Sequence, residues 1–228
     1  MFIIDVLTVF PEMFDSVINA SMLKIAQQKK KVRINLHNMR DYTTDKHRKV
    51  DDRPFGGGPG MVIKAEPIYN AIDSLLGKKK NIKKILLSPR GVPFTQKVAK
   101  SIIKDEKHIF LICGHYEGID ERVSDIVDME LSVGDYVLTS GEIAALAVID
   151  ATVRLIPGVL GDKDSIASES FEENLLEYPH YTRPKKYRDM RVPAVLLNGN
   201  HSKIAKWRHR QAFEITMQRR PDLLKKGE

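Results

Sequence analysis

His108-Ile109-Phe110-Leu111-Ile112-Cys113-Gly114-His115-Tyr116-Glu117-Gly118 is an apolar run that stops at two glycines flanking an aromatic and an acid. A strand with one wet face alternates polar and apolar residues. Four consecutive apolar positions, Ile109–Ile112, instead fit a strand buried on both sides. The same unit recurs along the chain. Ile85–Leu87 reads as a short buried strand ending at Ser88-Pro89. Thr95–Lys104 follows as a helix, with Thr95 as its cap and Val98 and Ile102 four apart. Ile126–Leu131 reads as the next strand, and Glu142–Ile156 as an apolar helix ended by Pro157. Upstream, Phe2–Phe10 and Val32–Leu36 read as strands and Met22–Lys30 as a helix. Strand–loop–helix repetition predicts an α/β fold with a mainly parallel sheet covered on both faces. Ligands collect beyond the carboxyl ends of such strands, which points to Ser88–Gly91, Gly114–Gly118 and Gly134–Gly141.

A second glycine-rich segment has a different character. Asp51-Asp52-Arg53-Pro54-Phe55-Gly56-Gly57-Gly58-Pro59-Gly60-Met61 holds four glycines and two prolines, so it is neither helix nor central strand. A loop so short of side chains suits a ligand lying against bare backbone N–H groups. Asp51, Asp52 and Arg53 put acceptors and a planar donor fork at its rim, a combination suited to a nucleobase edge. A tight structural turn is the other reading.

Composition bounds the rest. With 228 residues, 42% hydrophobic and 29% charged, the chain is expected to form one large or two modest globular domains. No apolar run reaches the roughly 20 residues that span a bilayer. Met1-Phe2-Ile3-Ile4-Asp5 lacks a basic n-region, so no signal peptide is expected. A single cysteine, Cys113, excludes an internal disulfide and a multi-Cys metal site, and a cytoplasmic location is expected. Charge is uneven: residues 171–228 hold 13 Lys/Arg against 7 Asp/Glu, whereas 1–170 hold 24 against 23. Such asymmetry suggests a polyanion-binding appendage, with a solvated basic helix as the plainer reading.

Residues 157–170 turn polar and glycine-containing and read as a linker and hinge. Asn200–Arg220 then reads as one long helix stopped by Pro221, with Ile204, Trp207, Gln211 and Ile215 on one side. Its Lys203, Lys206, Arg208, His209 and Arg210 supply a positive field. The Lys78–Lys80 and Lys83-Lys84 cluster reads as a solvated loop. There is no Walker phosphate loop, no G-x-G-x-x-G opening a helix, and no common Rossmann methyltransferase loop. The seven histidines lack zinc-ligand spacing, so nucleotide hydrolysis and a zinc enzyme are set aside.

Asp51–Met61, Cys113–Arg122, Gly134–Leu138, Ile156–Gly161 and Pro179-His180-Tyr181-Thr182-Arg183-Pro184 together carry a resemblance over essentially the whole chain. The sequence closely resembles the bacterial tRNA (guanine-N1)-methyltransferases, which modify the guanosine just 3′ of the anticodon. The resemblance implies a SPOUT fold, an α/β domain with a deep trefoil knot, plus a small helical C-terminal domain. General topology rules disfavour knots, so nothing in the composition points to one. It also implies a division into a methyltransferase domain (1–160), a linker (161–170) and a basic tRNA-binding domain (171–228).

The implied cofactor is S-adenosylmethionine. By motif, its pocket takes Leu87, Ser88 and Pro89 from the first loop and Gly114, Tyr116, Glu117 and Gly118 from the second. The third gives Val133, Gly134, Asp135, Tyr136, Val137 and Leu138, with Gly141 beyond. The resemblance assigns tRNA contacts to His47, Arg48, Asp51, Arg53, Gly57 and Gly58, with Asp51 on the guanine edge. It implies a homodimer whose guanine site lies between one subunit's knot and the partner's linker and C-terminal domain. It also associates the family with magnesium, for which Glu117 is a candidate ligand.

Guanine N1 carries a proton, so a carboxylate must accept it while a cation steadies charge on O6. The resemblance gives these roles to Glu169, where family members usually carry Asp, and to Arg154. Asp162 or Asp164 are the other candidates for the base. Two further departures are His115, where many relatives have Arg, and Ser140, where a glycine is common. Alternatives are a tRNA-binding protein of the same fold, impaired in catalysis, and a metal-dependent RNA hydrolase using Asp51 and Asp52.

Overall fold

The computed structural model describes residues 1–77, 79, 81–160 and 169–225. Lys78, Lys80, Asp162, Asp164 and the linker reading for 161–168 therefore lie outside the described residues. The chain divides into two compact units, Met1–Gly161 and Asp162–Glu228.

The first unit is built on a five-stranded sheet of β1 (Phe2–Thr8), β2 (Val32–Asn38), β5 (Lys83–Pro93), β6 (His108–Cys113) and β7 (Met129–Ser132). Their order is β2-β1-β6-β5-β7, and every neighbouring pair is parallel. Between them run the short α1 (Asp15–Ile18), α2 (Ser21–Gln28), α3 (Ala65–Leu75) and α4 (Gln96–Asp105), and α5 (Gly141–Val153) follows β7. A two-stranded piece, β3 (Asp51–Asp52) with β4 (Val62–Ile63), stands apart from the main sheet.

The pattern of β6 shows why the sheet is covered twice. Ile109, Leu111 and Cys113 enter one core with Ala144, Ala145 and Val148 of α5, while Phe110 and Ile112 enter another with Ile68 and Ala71 of α3. Each fully buried Leu or Ile contributes about 1.5–3 kcal/mol by leaving water, so both faces commit the strand to the interior. The expected buried α/β sheet is what the chain forms.

Several boundaries differ from the sequence reading. Lys83 and Lys84 do not form a solvated loop. They open β5, where the Lys84 N–H donates to Asp128 Oδ2 at 2.7 Å and its ammonium lies 3.6 Å from the same oxygen. The ladder, not the charge, sets their place. Likewise Ile126 ends a 3₁₀ turn (Glu121–Ile126) and pairing begins only at Met129. α5 stops at Val153, ahead of Pro157. Thr95 caps α4 as expected, its hydroxyl accepting the Val98 N–H.

The second unit contains the hairpin β8 (Lys186–Tyr187) and β9 (Met190–Arg191), a 3₁₀ turn at Ala194–Leu197, the long α6 (His201–Arg219) and the short α7 (Pro221–Leu224). Asn200 caps α6 by accepting the Lys203 N–H at 3.0 Å. Ile204, Trp207, Gln211 and Ile215 are half-buried along one side of α6, between exposed basic residues.

Candidate active site

Strands β6, β5 and β7 are neighbours, and Leu87 of β5 pairs with both Cys113 of β6 and Leu131 of β7. β6 and β7 end near that level, whereas β5 does not stop at Ser88-Pro89 as the sequence suggests but continues through a bulge to Pro93, where Val92 pairs with Leu131 again. This bulge and the loops after β6 and β7 enclose one cavity of about 560 Å³. Leu87, Ser88 and Pro89 line it from the bulged part of β5, the first segment, and Gly114, Tyr116, Glu117 and Gly118 from the second, after β6. Val133, Gly134, Tyr136, Val137 and Leu138 line it from the third, with Gly141 at the start of α5. Asp135 is exposed in the same turn and is not part of the lining. His115 and Ser140, the two departures noted in the sequence, also line it; sequence reasoning passed over Arg90 and Glu121 as lining residues. Arg90 and Glu121 form an ion pair at 2.8 Å that ties the bulge of β5 to the start of the 3₁₀ turn. Their separation in sequence left no local signal.

The second and third loops are closed at their roots. The Gly141 N–H donates to the Gly114 carbonyl at 2.8 Å, and His115 bridges Ser140 antiparallel. A Cβ on Gly141 would lie 2.7 Å from the Gly114 nitrogen, so only glycine permits this approach. The two departures noted in sequence therefore face each other across one bridge. His115 packs its ring 5.0 Å from Phe10 and 4.4 Å from Tyr116, while its Nδ1 and the Ser140 Oγ are buried without a hydrogen-bond partner. Behind them Glu142, in the first turn of α5, is fully buried. Its Oε1 accepts from the Thr8 hydroxyl at 2.5 Å, and its Oε2 has no partner. Burial, and secondarily the charge of Glu142, pushes the Cys113 thiol well above its usual range, which makes it an inert strand end.

The glycine loop of 51–61 is stitched to the cavity. The Glu117 N–H donates to the Met61 carbonyl and the Ile63 N–H to the Gly118 carbonyl, both at 3.0 Å, and Ile63 bridges Ile119 in parallel. Asp51 sits half-buried in β3, at the base of the loop. Gly57 and Gly58 are exposed with φ of +79° and +118°, and a Cβ on either would meet nothing within 4 Å. Here glycine serves backbone shape, not close packing. Arg53 and Phe55 are exposed at the tip. His47 and Arg48 are exposed on the preceding turn, where Arg48 pairs with Asp41.

The two expected catalytic residues fall in different units. Arg154 is half-buried at the end of α5, its N–H donating to the Asp150 carbonyl. Glu169 is half-buried at the start of a folded segment in the second unit. Its carbonyl accepts the Glu172 N–H at 3.3 Å, and the neighbouring Ser170 hydroxyl accepts the Glu177 N–H at 2.9 Å. Among the described residues, no three His, Cys, Asp or Glu side chains converge as a metal site. No helix among them is long and apolar enough to cross a membrane.

A parallel α/β sheet in which β5, β6 and β7 border one glycine-walled cavity is consistent with the SPOUT methyltransferase class, to which the family matched by this chain belongs. The family model described as tRNA (Guanine-1)-methyltransferase TrmD matches residues 2–226. The chain is 54% identical to the tRNA (guanine-N(1)-)-methyltransferase of Dictyoglomus turgidum, over 98% of this chain and 90% of that one. It is 55% identical to the same-named protein of Caldanaerobacter subterraneus subsp. tengcongensis (99% and 92%) and 56% identical to that of Carboxydothermus hydrogenoformans (97% and 87%). The chain belongs to the tRNA (guanine-1)-methyltransferase family.

Proposed function

We propose that this protein transfers a methyl group from S-adenosylmethionine to N1 of the guanosine just 3′ of the anticodon in tRNA. The observation that carries the reading is the joining of two loops: the cavity loop at 114–118 is hydrogen-bonded to the glycine loop at 51–61. A cofactor pocket and a base-recognition loop therefore share one wall.

The residues present fit the donor. Leu87, Leu138 and Ala144 give apolar surface for the adenosine and thioether portions, and the bare backbones of Gly114 and Gly134 allow close approach. The unpartnered Ser140 Oγ and His115 Nδ1 offer polar contacts. When bound, S-adenosylmethionine supplies an electrophilic sulfonium methyl. Asp51 orients the guanine edge, and Arg53 and Arg48 hold backbone phosphates. Glu169 accepts the N1 proton as the N1–methyl bond forms and the methyl–sulfur bond breaks, and Arg154 faces the charge that develops on O6. Glu has an intrinsic pKa close to that of Asp, so its extra methylene is the only change to accommodate. The guanine site belongs to a homodimer and lies between one subunit's knot and the partner's linker and C-terminal domain. The trefoil threading of the chain, a cytoplasmic location and a magnesium contact through Glu117 belong to the same proposal.

Unmodified tRNA transcript and labelled S-adenosylmethionine, followed by nucleoside mass spectrometry, test this reading. One methyl at guanosine N1, absent when that base is adenosine, is expected. Glu169→Gln should lower single-turnover transfer by about 10²–10⁴-fold with cofactor affinity retained. A variant as fast as the wild type would remove Glu169 from the mechanism.

A further inference from the structure

The Pro179–Pro184 segment has no part in the chemistry above, yet its first residues help to line a concavity of the second unit. A cavity of about 180 Å³ is lined by Tyr178–Tyr181, by Leu196, and by Ile204, Trp207 and Arg208 of α6. The rings of Tyr181 and Trp207 stand 6.4 Å apart at 53°, a wedge and not a stack. Tyr178 and His180 lie 4.8 Å apart at 45°, with the Arg208 guanidinium 4.8 Å over the Tyr178 ring. Glu177 is the acid at this place, 2.8 Å from His180 Nε2.

A small hydrophobic core is the competing account, and it requires the rings to be sealed. They are not: Tyr181 is 50% exposed and Trp207 is only half-buried. The buried side chains described in this unit are Ala212, Thr216 and Leu223, none of which lines the cavity. The surroundings are cationic, with 13 Lys/Arg against 7 Asp/Glu in residues 171–228. Open aromatic faces in a positive field are the chemistry that holds single-stranded nucleic acid: rings stack on bases, and cations meet phosphates.

We propose that this notch binds one unstacked nucleotide of the RNA strand, its base against Trp207 and Tyr181 and its phosphate beside Arg208. The inference rests on tRNA as substrate and adds to it a second anchoring point, separate from the target guanine. Binding energy from such a remote contact raises the affinity of the folded RNA without touching the methyl donor.

Trp207 is the only tryptophan in the chain, so its emission reports the notch directly. Titration of the full-length protein with unmodified tRNA should quench that emission saturably, at the same midpoint as filter binding. Trp207→Ala should weaken tRNA binding roughly 5- to 100-fold, the range for loss of one base–aromatic stack. Trp207→Phe should restore most of it, and S-adenosylmethionine affinity should not move. Should Trp207→Ala fail to fold by circular dichroism, Tyr181→Ala and Arg208→Gln carry the test, with the same loss expected. Emission that stays constant while filter binding shows tRNA bound would overturn the proposal, as would unchanged affinity in the folded variants. Quenching by guanosine monophosphate but not by tRNA would overturn the RNA occupant. Wild-type protein that methylates tRNA with no change in emission would sink this inference alone, whereas protein that neither binds nor methylates tRNA would sink the functional reading too.

Discussion

Asp5 and Glu142 are both carboxylates sealed inside the first unit, 7% and 0% exposed, but their surroundings have opposite character. Asp5, in mid-β1, is saturated. Its Oδ1 accepts from Asn35 Nδ2 at 2.7 Å and lies 2.9 Å from His37 Nε2, and its Oδ2 lies 2.5 Å from His108 Nε2. Burial alone would raise the carboxyl pKa, but the hydrogen bonds from His37, Asn35 and His108 outweigh it and hold the value down to about 2. Glu142 has one partner, Thr8, and a second oxygen with none; His115 Nδ1 and Ser140 Oγ are equally unpartnered. A buried polar group left without a bond costs about 1–3 kcal/mol. The saturated set lies within the sheet and joins three strands, β1, β2 and β6. Three of the unpartnered atoms, on His115, Ser140 and Glu142, gather where the cavity loops meet α5, whereas the buried Thr152 Oγ1 lies at the other end of that helix. The comparison teaches that the cluster joining the strands is fully paired, while His115 and Ser140, which line the cavity, keep atoms open toward a ligand or water.

If that contrast is right, removing Asp5 should harm the fold and not the site. Asp5→Ala strips three strands of a shared acceptor and should cost about 3 kcal/mol, read by urea denaturation at neutral pH. S-adenosylmethionine affinity of the folded fraction should stay at the wild-type value. A normal stability would dissolve the contrast. Acid should sharpen it. Because the folded pKa of Asp5 is depressed to about 2 from 3.8, its contribution is present above the unfolded value and vanishes as pH falls through the folded one. The expected loss is about 2 kcal/mol between pH ~4 and ~2. Asp5→Asn, measured over the same range, should lack that component.

How far the sequence shows all this depends on the range of the interaction. Ile85–Leu87 and His108–Cys113 are legible as strands because double-sided burial writes itself as an unbroken apolar run. Lys83 and Lys84 mislead because charge is read as solvent, whereas the ladder needs only their backbone. α3 escaped notice: Pro67 looks like a breaker, yet it sits in the first turn, where a missing N–H costs nothing. The cavity loops are legible through their glycines, since a close approach such as Gly114 to Gly141 leaves no other residue possible. The Asp5 cluster is not legible, because its members come from three strands and have no common spacing. The same holds for His115 and Ser140, whose bridge joins residues 25 positions apart.

The smallest effect bears on that bridge and is the most discriminating. Ser140 precedes α5 in the usual cap position, but its hydroxyl makes no cap bond and no other. Ser140→Ala keeps the Cβ and deletes the orphan oxygen. Without ligand, thermal denaturation should show the variant as stable as the wild type or up to about 1 kcal/mol more stable, since an unsatisfied buried group has been removed. Calorimetric titration should show S-adenosylmethionine binding weakened by roughly 3- to 10-fold, the worth of one neutral hydrogen bond. The two changes must run in opposite directions. A variant that gains stability and keeps full affinity would mean that the open hydroxyl faces no ligand, and that at least this part of the unsatisfied set is idle.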